Sequence, residues 1–219
     1  MSGEYIVYGA AGSGSVAVEA ALTLIGTPFR VEDARSWKDL ETSPRMARIN
    51  PMRQVPALIL PSGELMTESS AILMWLAESH PGADLAPPRF DGDMRPRFLR
   101  WMAYISAQIY ALYWIRDAPS RLAADKAAEA VIIERTAGRI AEAWRIMGEQ
   151  VQPAGRFLLG DQISVLDLYM AVVSRWGPRR KGFYEAAPGL APVVRAVDAE
   201  PRLTELWAER FPFTKGWEG

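Results

Sequence analysis

The sequence predicts an α+β protein, in which a small mixed sheet with helices precedes an all-helical domain. Roughly the first eighty residues alternate short apolar runs with helical spacing of apolar side chains, in the order βαβαββα. A stretch rich in proline, glycine and aspartate follows at residues 81–93, without periodicity. The rest of the chain has the spacing of long amphipathic helices. The predicted division is a first domain at residues 1–80, a linker at 81–93 and a helical domain at 94–219.

The first strand is predicted at residues 5–8, where apolar and aromatic side chains follow one another. A loop rich in glycine and serine covers residues 9–15, and a helix with apolar spacing comes after it. Gly26 and Pro28 end that helix, because glycine accepts a left-handed conformation and proline cannot continue a helix. Residues 29–32 alternate as a second strand.

A short helix is predicted within residues 37–49, where Ser43-Pro44 interrupts the pattern. The next helix runs from Glu68 to about His80. Between these helices the sequence predicts a hairpin, with its strands and turn at residues 57–60, 64–67 and 61–63.

The helical domain is predicted to contain two long helices and several shorter ones. Ser164 and Asp167 have the spacing of a capping box, in which the serine accepts from a first-turn amide and the acid accepts from the serine N–H. They therefore mark the start of a helix. The other predicted helices cover residues 97–115, 123–150, 191–199 and 201–210.

Composition excludes several kinds of chemistry. The 219 residues are 49% hydrophobic with a net charge of −1, so electrostatics favour neither nucleic acid nor a membrane surface. There is no cysteine, which excludes disulfides, thiolate metal sites and a nucleophilic protein thiol. The one histidine, His80, stands at a predicted helix end, where a helix-end cation is the simpler explanation. No metal site is predicted, and without an apolar span or a basic leader the chain is expected in the cytoplasm.

The segment from Asn50 to Leu58 indicates a peptide-binding edge. Pro56 stands directly before a predicted strand and has no N–H, so the polar backbone groups beside it must pair elsewhere. Glu68 and Ser69 open the next helix, and the free N–H groups of a helix start suit a carboxylate. Together the two features predict a cradle for a small extended peptide.

In these residues the chain resembles the cytosolic glutathione transferases. The resemblance rests on Asn50-Pro51, on residues 54–58, on the Glu68-Ser69 pair and on Ser164-x-x-Asp167, in this order and at these spacings. It covers nearly the whole length and implies a thioredoxin-like first domain, an all-helical second domain and a homodimer. It also implies glutathione as co-substrate and a small-molecule electrophile as the second partner.

The implied glutathione-binding residues are Arg53, Gln54, Val55, Pro56, Glu68 and Ser69. The proline would be cis, and the valine backbone would pair with the cysteinyl part of glutathione, as an added strand does. The glutamate and serine would receive the γ-glutamyl end, whereas the glutamine and arginine would face the glycyl end. The plainer alternatives are a strand-edge proline and an ordinary helix cap.

The resemblance also requires a hydroxyl that stabilises the glutathione thiolate, in the loop after the first strand. Counted back from the helix end, the serine-type classes place this hydroxyl near Gly12 or Ser13, and the cysteine-type class places its thiol at Gly14 with a serine at Ser15. Without a gap, the tyrosine-type classes align theirs with Tyr8. Ser13 is the first choice, Ser15 the second and Tyr8 the third. The alternatives are helix capping for the serines and core packing for the tyrosine.

The missing cysteine excludes a mixed disulfide between the enzyme and glutathione. The prediction is therefore attack of the glutathione thiolate on a small hydrophobic or aromatic electrophile, with ether cleavage and isomerisation left open. A non-catalytic glutathione-transferase-like binding or regulatory module is the alternative, because Gly12 and Gly14 flank the expected hydroxyl.

The electrophile is expected in a cleft between the loop at residues 9–15 and the helix at residues 97–115. Five side chains of that helix are candidates for its wall, although bundle helices bury aromatic side chains in any case. The five are Trp101, Tyr104, Gln108, Tyr113 and Trp114.

A basic cluster lies near the sequence Gly177-Pro178. It is interpreted as a solvated turn, since nucleic-acid binding fits poorly with a nearly neutral chain. Its members are Arg175, Arg179, Arg180 and Lys181.

Overall fold

The computed structural model describes residues 3–33, 43–177, 179–216 and 218, in a four-stranded mixed sheet with helices and a helical domain after it. The strand order is β2-β1-β3-β4, with β1 parallel to β2 and β3 antiparallel to both β1 and β4. This arrangement confirms the predicted thioredoxin-like fold class. The strands are β1 (Tyr5–Gly9), β2 (Phe29–Asp33), β3 (Ala57–Ile59) and β4 (Leu65–Thr67).

Helix α1 (Ser15–Ile25) ends at Gly26, whose φ of +73° is the left-handed conformation predicted for it. Helix α2 (Pro44–Ile49) corrects one prediction: Ser43 Oγ accepts from the Met46 N–H at 3.3 Å, so Ser43-Pro44 begins this helix and does not interrupt it. Proline suits that position because the first helical N–H has no partner within the helix. The earlier part of the predicted helix, including Trp37, lies outside the described residues.

Helix α3 (Ser69–Ser79) is followed by the helical domain, in which the predicted long helices are present. The first begins as α4 (Met94–Tyr104), continues as a π-helical segment (Ile105–Tyr110) and ends as α5 (Ala111–Asp117). The remaining helices are α6 (Lys126–Gln150), α7 (Val165–Val173), α8 (Arg179–Ala186), α9 (Ala191–Asp198) and α10 (Thr204–Arg210). The division at residues 81–93 stays a prediction.

Helix α7 is the centre of the molecule, because all nine of its residues are buried and it contacts α1, α3, α4 and α9. The predicted capping box is present: the Ser164 N–H donates to Asp167 Oδ2 at 2.8 Å. The Leu158 N–H donates to Asp167 Oδ1 at 2.9 Å. Burial nevertheless raises the pKa of Asp167 to about 6, against the effect of these hydrogen bonds.

The interpretation of the basic cluster as a solvated turn is wrong for Arg175 and Arg180, whereas Arg179 and Lys181 are exposed. Arg180 is fully buried in α8, and its guanidinium donates to both carboxylate oxygens of Asp198 at 2.8 and 3.0 Å. Arg175 donates to the carbonyls of Phe211 and Pro212, and burial lowers its pKa to about 10. These cations hold the carboxyl-terminal helices together.

Candidate functional site

The loop before β3 presents Val55 on a framework built by Asn50. The Asn50 side chain is buried; its Nδ2 donates to the Gln54 carbonyl at 2.9 Å, and its Oδ1 accepts from the Met52 N–H at 3.0 Å. Arg53 has a positive φ of 54°, which is the left-handed backbone conformation, directly before Gln54 and Val55. The Val55–Pro56 bond is cis, as the resemblance implies.

The backbone polar groups of Val55 lie just before β3 and outside its hydrogen-bonded pairing with β1. Strand β3 begins only at Ala57, whose partner in β1 is Tyr8. Among the described residues, neither the N–H nor the carbonyl of Val55 makes a hydrogen bond. An extended peptide can therefore pair with this residue as an added strand.

The start of α3 is the second part of the site. Glu68, the residue before the helix, is exposed and has φ +67° and ψ 108°, a conformation that a side chain disfavours by roughly 1–3 kcal/mol. Its side chain makes no capping hydrogen bond, so an ordinary helix cap does not explain the glutamate at this position. The first N–H groups of α3 can bind an anionic group.

Ser69 is buried and paired across the two domains. Its hydroxyl lies 2.8 Å from the hydroxyl of Tyr169 on α7, and Tyr169 also makes a hydrogen bond with Ser106. Burial raises the pKa of Tyr169 to about 12, so this phenol stays protonated. The helical domain therefore fixes the predicted γ-glutamyl site.

The loop after β1 brings Ser13 and Ser15 together, with their Oγ atoms 2.9 Å apart and both side chains buried. Ser15 Oγ lies 2.9 Å from Glu19 Oε1 and accepts from the Ala10 N–H at 3.2 Å. Gly9 makes this possible, because a Cβ at Gly9 would come within 2.6 Å of Ser15 Cβ.

The direction of the hydroxyl protons follows from these contacts. Ser15 has one proton, and the ionised Glu19 carboxylate is its strongest acceptor, so Ser15 donates to Glu19. Ser13 then donates to Ser15, while its oxygen accepts from the Ser15 N–H at 3.1 Å. In this arrangement both serine protons point into the protein.

Gly12 is held at both of its backbone polar groups by the helical domain. Its N–H donates to the Arg210 carbonyl at 2.8 Å, and its carbonyl accepts from Trp176 Nε1 at 2.8 Å. Gly12 itself has a φ of +74°, which favours glycine at this turn. The position of the loop therefore depends on residues far along the chain.

Tyr8, the third hydroxyl candidate, lies in a small apolar cluster with Met46, Val55 and Ala57. The Arg45 guanidinium carbon stands 5.6 Å from its ring centroid, and the guanidinium donates a hydrogen bond to the tyrosine oxygen. Its ring is buried and lies beside Val55, so it borders the proposed peptide edge.

Tyr110, the last residue of the π-helical segment, stands over the start of α1. Its hydroxyl makes a hydrogen bond with the Gly14 backbone, and a Cβ at Gly14 would lie 2.7 Å from the tyrosine Cζ. The Glu68 carboxylate is near enough to raise the pKa of both Tyr110 and Tyr169, after the larger effect of burial. Tyr110 thus contacts the start of α1, and Tyr169 contacts the start of α3.

The five predicted cleft residues make contacts with different parts of the molecule. Tyr104 donates to the Ala143 carbonyl on α6 at 2.9 Å and packs edge-on against Trp101. Gln108 accepts from Arg139, also on α6. Tyr113 is buried and lies 5.1 Å from Trp176, centroid to centroid, which connects it to the loop.

Trp114 is 39% exposed and stacks with Arg121, so it is separate from these contacts. The cleft assignment of the five stays a prediction. Sequence analysis quoted Asn50 only as part of the resemblance and missed Tyr110, Tyr169 and Trp176, because the spacing of aromatic side chains in helices could not distinguish these three from core residues.

Two further observations concern the described part of the chain. It contains no group of three or more histidine, cysteine or acidic side chains that could hold a metal ion. None of its helices combines the length and the apolar character that a bilayer crossing requires.

Comparison with known proteins agrees with this geometry. The family model for the glutathione S-transferase N-terminal domain matches residues 15–79. The GST-like protein YncG of Escherichia coli K12 is 29% identical over 201 residues, which is 91% of this chain and 95% of that protein. The chain is similar over nearly its whole length to members of the glutathione transferase family.

Other relatives in this family agree. Glutathione S-transferase GstA of Escherichia coli O157:H7 is 25% identical over 168 residues, covering 77% of this chain and 79% of GstA. The solved structure of a glutathione transferase homologue from Sulfitobacter, with bound glutathione, has a TM-score of 0.82 and 23% identity. It covers 94% of this chain and 97% of that one, and it shows that the family fold extends through the helical domain.

Proposed function

We propose that this protein is a glutathione transferase, which binds glutathione along the edge at Val55 and uses its thiolate to attack a small electrophile. The observation that carries the proposal is the pair of backbone groups at Val55, which lack partners among the described residues and adjoin the uncapped start of α3. The tripeptide would run with its cysteinyl part on Val55, its γ-glutamyl end at Glu68 and Ser69, and its glycyl end toward Arg53 and Gln54.

The chemistry requires an ionised sulfur. A free thiol has a pKa near 8.5, so lowering it by about two units takes roughly 2.7 kcal/mol of preferential thiolate stabilisation. We propose that the Ser13 hydroxyl supplies part of this thiolate stabilisation. Its O–H would rotate away from Ser15 and donate a hydrogen bond to the glutathione sulfur. Ser15 makes hydrogen bonds with Glu19 and Ala10, so its proposed role is to stabilise the loop. The bound thiolate forms the new sulfur–carbon bond, and the electrophile's leaving group departs with the bonding electron pair.

Several narrower properties belong to the same proposal. The electrophile would be hydrophobic or aromatic, because the indole of Trp176, which binds Gly12 in the loop, packs against the rings of Tyr110 and Tyr113. A cytoplasmic homodimer without nucleic-acid or membrane partners is expected, with residues 1–80 as the glutathione-binding domain.

The test measures glutathione binding by calorimetry and conjugation with a chlorodinitrobenzene acceptor. Ser13→Ala should lower kcat far more than it weakens glutathione binding. Ser174→Ala is the matched control, since this buried serine donates to the Ala171 carbonyl on α7. Absence of binding by the unaltered protein would refute the proposal as a whole, and equal turnover of S13A would remove Ser13 from it.

A non-catalytic binding module is the second candidate, favoured by the inward direction of both serine protons. Retention on immobilised glutathione, without the ultraviolet absorbance of a bound thiolate near neutral pH, would support it. Retention together with that absorbance would support the transferase.

A further inference from the structure

Tyr110 occupies space that the glycine at position 14 leaves open. A Cβ at Gly14 would overlap the tyrosine hydroxyl oxygen and would lie 2.9 Å from Cε1. Position 14 caps α1, which has no side-chain cap of its own. The hydroxyl therefore stands where a side chain at the start of α1 would project, which is where a cysteine-type member would have its thiol.

The same hydroxyl lies between the two helix starts of the site. The Glu68 carboxylate, at the start of α3, acts electrostatically on Tyr110. The Tyr110 ring lies 6.0 Å from Tyr169, which binds Ser69, and 4.7 Å from Trp176, which binds Gly12. A peptide held at Val55 and Ser69 would place its cysteinyl sulfur in this region.

From this placement we propose that Tyr110 is a catalytic residue, and that its hydroxyl donates a hydrogen bond to the sulfur of bound glutathione. The inference rests on the proposed function and adds a second donor, from the helical domain, to Ser13. It also explains the glycine at position 14, since any larger residue there would displace the phenol.

The chemical state of Tyr110 suits a donor. Burial raises the pKa of this phenol far above its ordinary value, so it keeps its proton at physiological pH. In the hydrogen bond with the Gly14 backbone the phenol oxygen accepts from the Gly14 N–H, so this bond does not use the phenol proton. The proton is thus available to an incoming thiolate, whereas the proton of Ser13 must first turn away from Ser15.

The backbone around Tyr110 supports the same role. Six residues, Ile105–Tyr110, form a π-helical segment between α4 and α5. Such segments are rare, are often found at functional sites, and shift the side chains after them around the helix axis. Here the segment ends at the residue whose hydroxyl reaches Gly14.

The experiment compares Tyr110→Phe with the unaltered protein and with Tyr184→Phe. Phenylalanine keeps the ring contacts with Trp176 and Tyr169 and removes only the hydroxyl. Tyr184 is the matched control, because its hydroxyl donates to Glu218 near the carboxyl terminus. The readouts are the melting temperature, glutathione affinity by calorimetry, and a pH titration of bound thiolate by ultraviolet absorbance.

With Y110F we expect the bound thiol to titrate about one unit higher and kcat/KM near neutral pH to fall about tenfold. Glutathione affinity measured near pH 5, where the bound thiol is protonated, should be unchanged, whereas affinity above pH 9 should fall about tenfold because the bound thiolate has lost this hydrogen bond. The double variant S13A/Y110F should raise the thiol titration further than either single change.

An unchanged titration and unchanged kcat/KM in Y110F would overturn the assignment of Tyr110 and leave the proposed function standing. A protein that neither binds nor conjugates glutathione before any change would instead overturn the proposed function.

Discussion

Arg210 Nε donates to Glu19 Oε2 at 2.7 Å, so an ion pair between largely buried groups joins the last helix to the first. The partners are 191 positions apart, and Glu19 also accepts from Ser15. Arg210 has a further contact with Asp33 at 2.9 Å. The loop that carries the candidate hydroxyls therefore depends on charge pairing with the end of the chain.

Glu19→Gln should lower the free energy of unfolding by roughly 3 kcal/mol, because it leaves a largely buried guanidinium with less compensation. Urea denaturation measures the change. Glu142→Gln is the control: it breaks the exposed pair with Arg145 and should cost at most about 1 kcal/mol. Equal effects of the two variants would show that the Glu19 pair contributes no more than a surface pair.

Trp176→Phe should loosen the loop at Gly12 while keeping the aromatic contacts with Tyr110 and Tyr113. The lost hydrogen bond is worth about 1 kcal/mol of stability, and glutathione affinity should fall as well. Trp207→Phe removes another indole hydrogen bond, which is made to the Val197 carbonyl at 3.4 Å and not to the loop. It should reduce stability without changing glutathione affinity; a loss of affinity in both variants would argue against a specific role of Trp176.

Gly14→Ala should destabilise the protein by roughly 1–3 kcal/mol, because the added methyl group meets the Tyr110 ring and hydroxyl. The backbone is not the cause, since Gly14 has an ordinary φ of −63°. In a Tyr110→Leu background the same change should cost clearly less, which a double-mutant cycle would measure. Gly138→Ala on α6 meets nothing within 4 Å and should be neutral or stabilising. An additive cycle would contradict contact between positions 14 and 110.

The Asp167 carboxyl should make stability depend on pH. Its pKa is about 6 in the folded protein and about 3.9 unfolded, so the folded state binds the proton more tightly. The contribution is present below pH 4 and is lost as pH rises through 6. The stability of the unaltered protein relative to Asp167→Asn should therefore decline from about pH 4 to about pH 7. Urea denaturation across this range checks it, and a difference that grows with pH would contradict the sign.

Local sequence signals predicted the elements that local chemistry decides. Gly26 ends α1, Pro61-Ser62-Gly63 turns the hairpin, and Ser164 with Asp167 begins α7. Each signal involves residues within a few positions of one another, so a short stretch of sequence contains the whole cause. The loop before Pro56 is likewise built by nearby residues, and the peptide edge expected at Val55 stays a prediction.

Contacts between distant residues explain what the sequence analysis missed. Helix α8 was not predicted because Arg179-Arg180-Lys181 has the charge of a solvated turn. The Asp198 carboxylate that pairs with the buried Arg180 lies 18 positions away. Tyr110 and Trp176 were not assigned to the site because their partners, Gly14 and Gly12, are in the other domain. No periodicity along one helix indicates which residue of another domain it will meet.

The two bonds at Gly12 bear on how this protein can be divided. A fragment ending near residue 80 would contain the edge at Val55 and the start of α3, yet it would lack Trp176 and Arg210. Both peptide groups of Gly12 would then be solvated by water, and the turn would sample other conformations. Such a fragment would retain the edge proposed for the tripeptide and lose the contacts that position the loop proposed for its sulfur, so we expect it to bind glutathione without ionising the thiol.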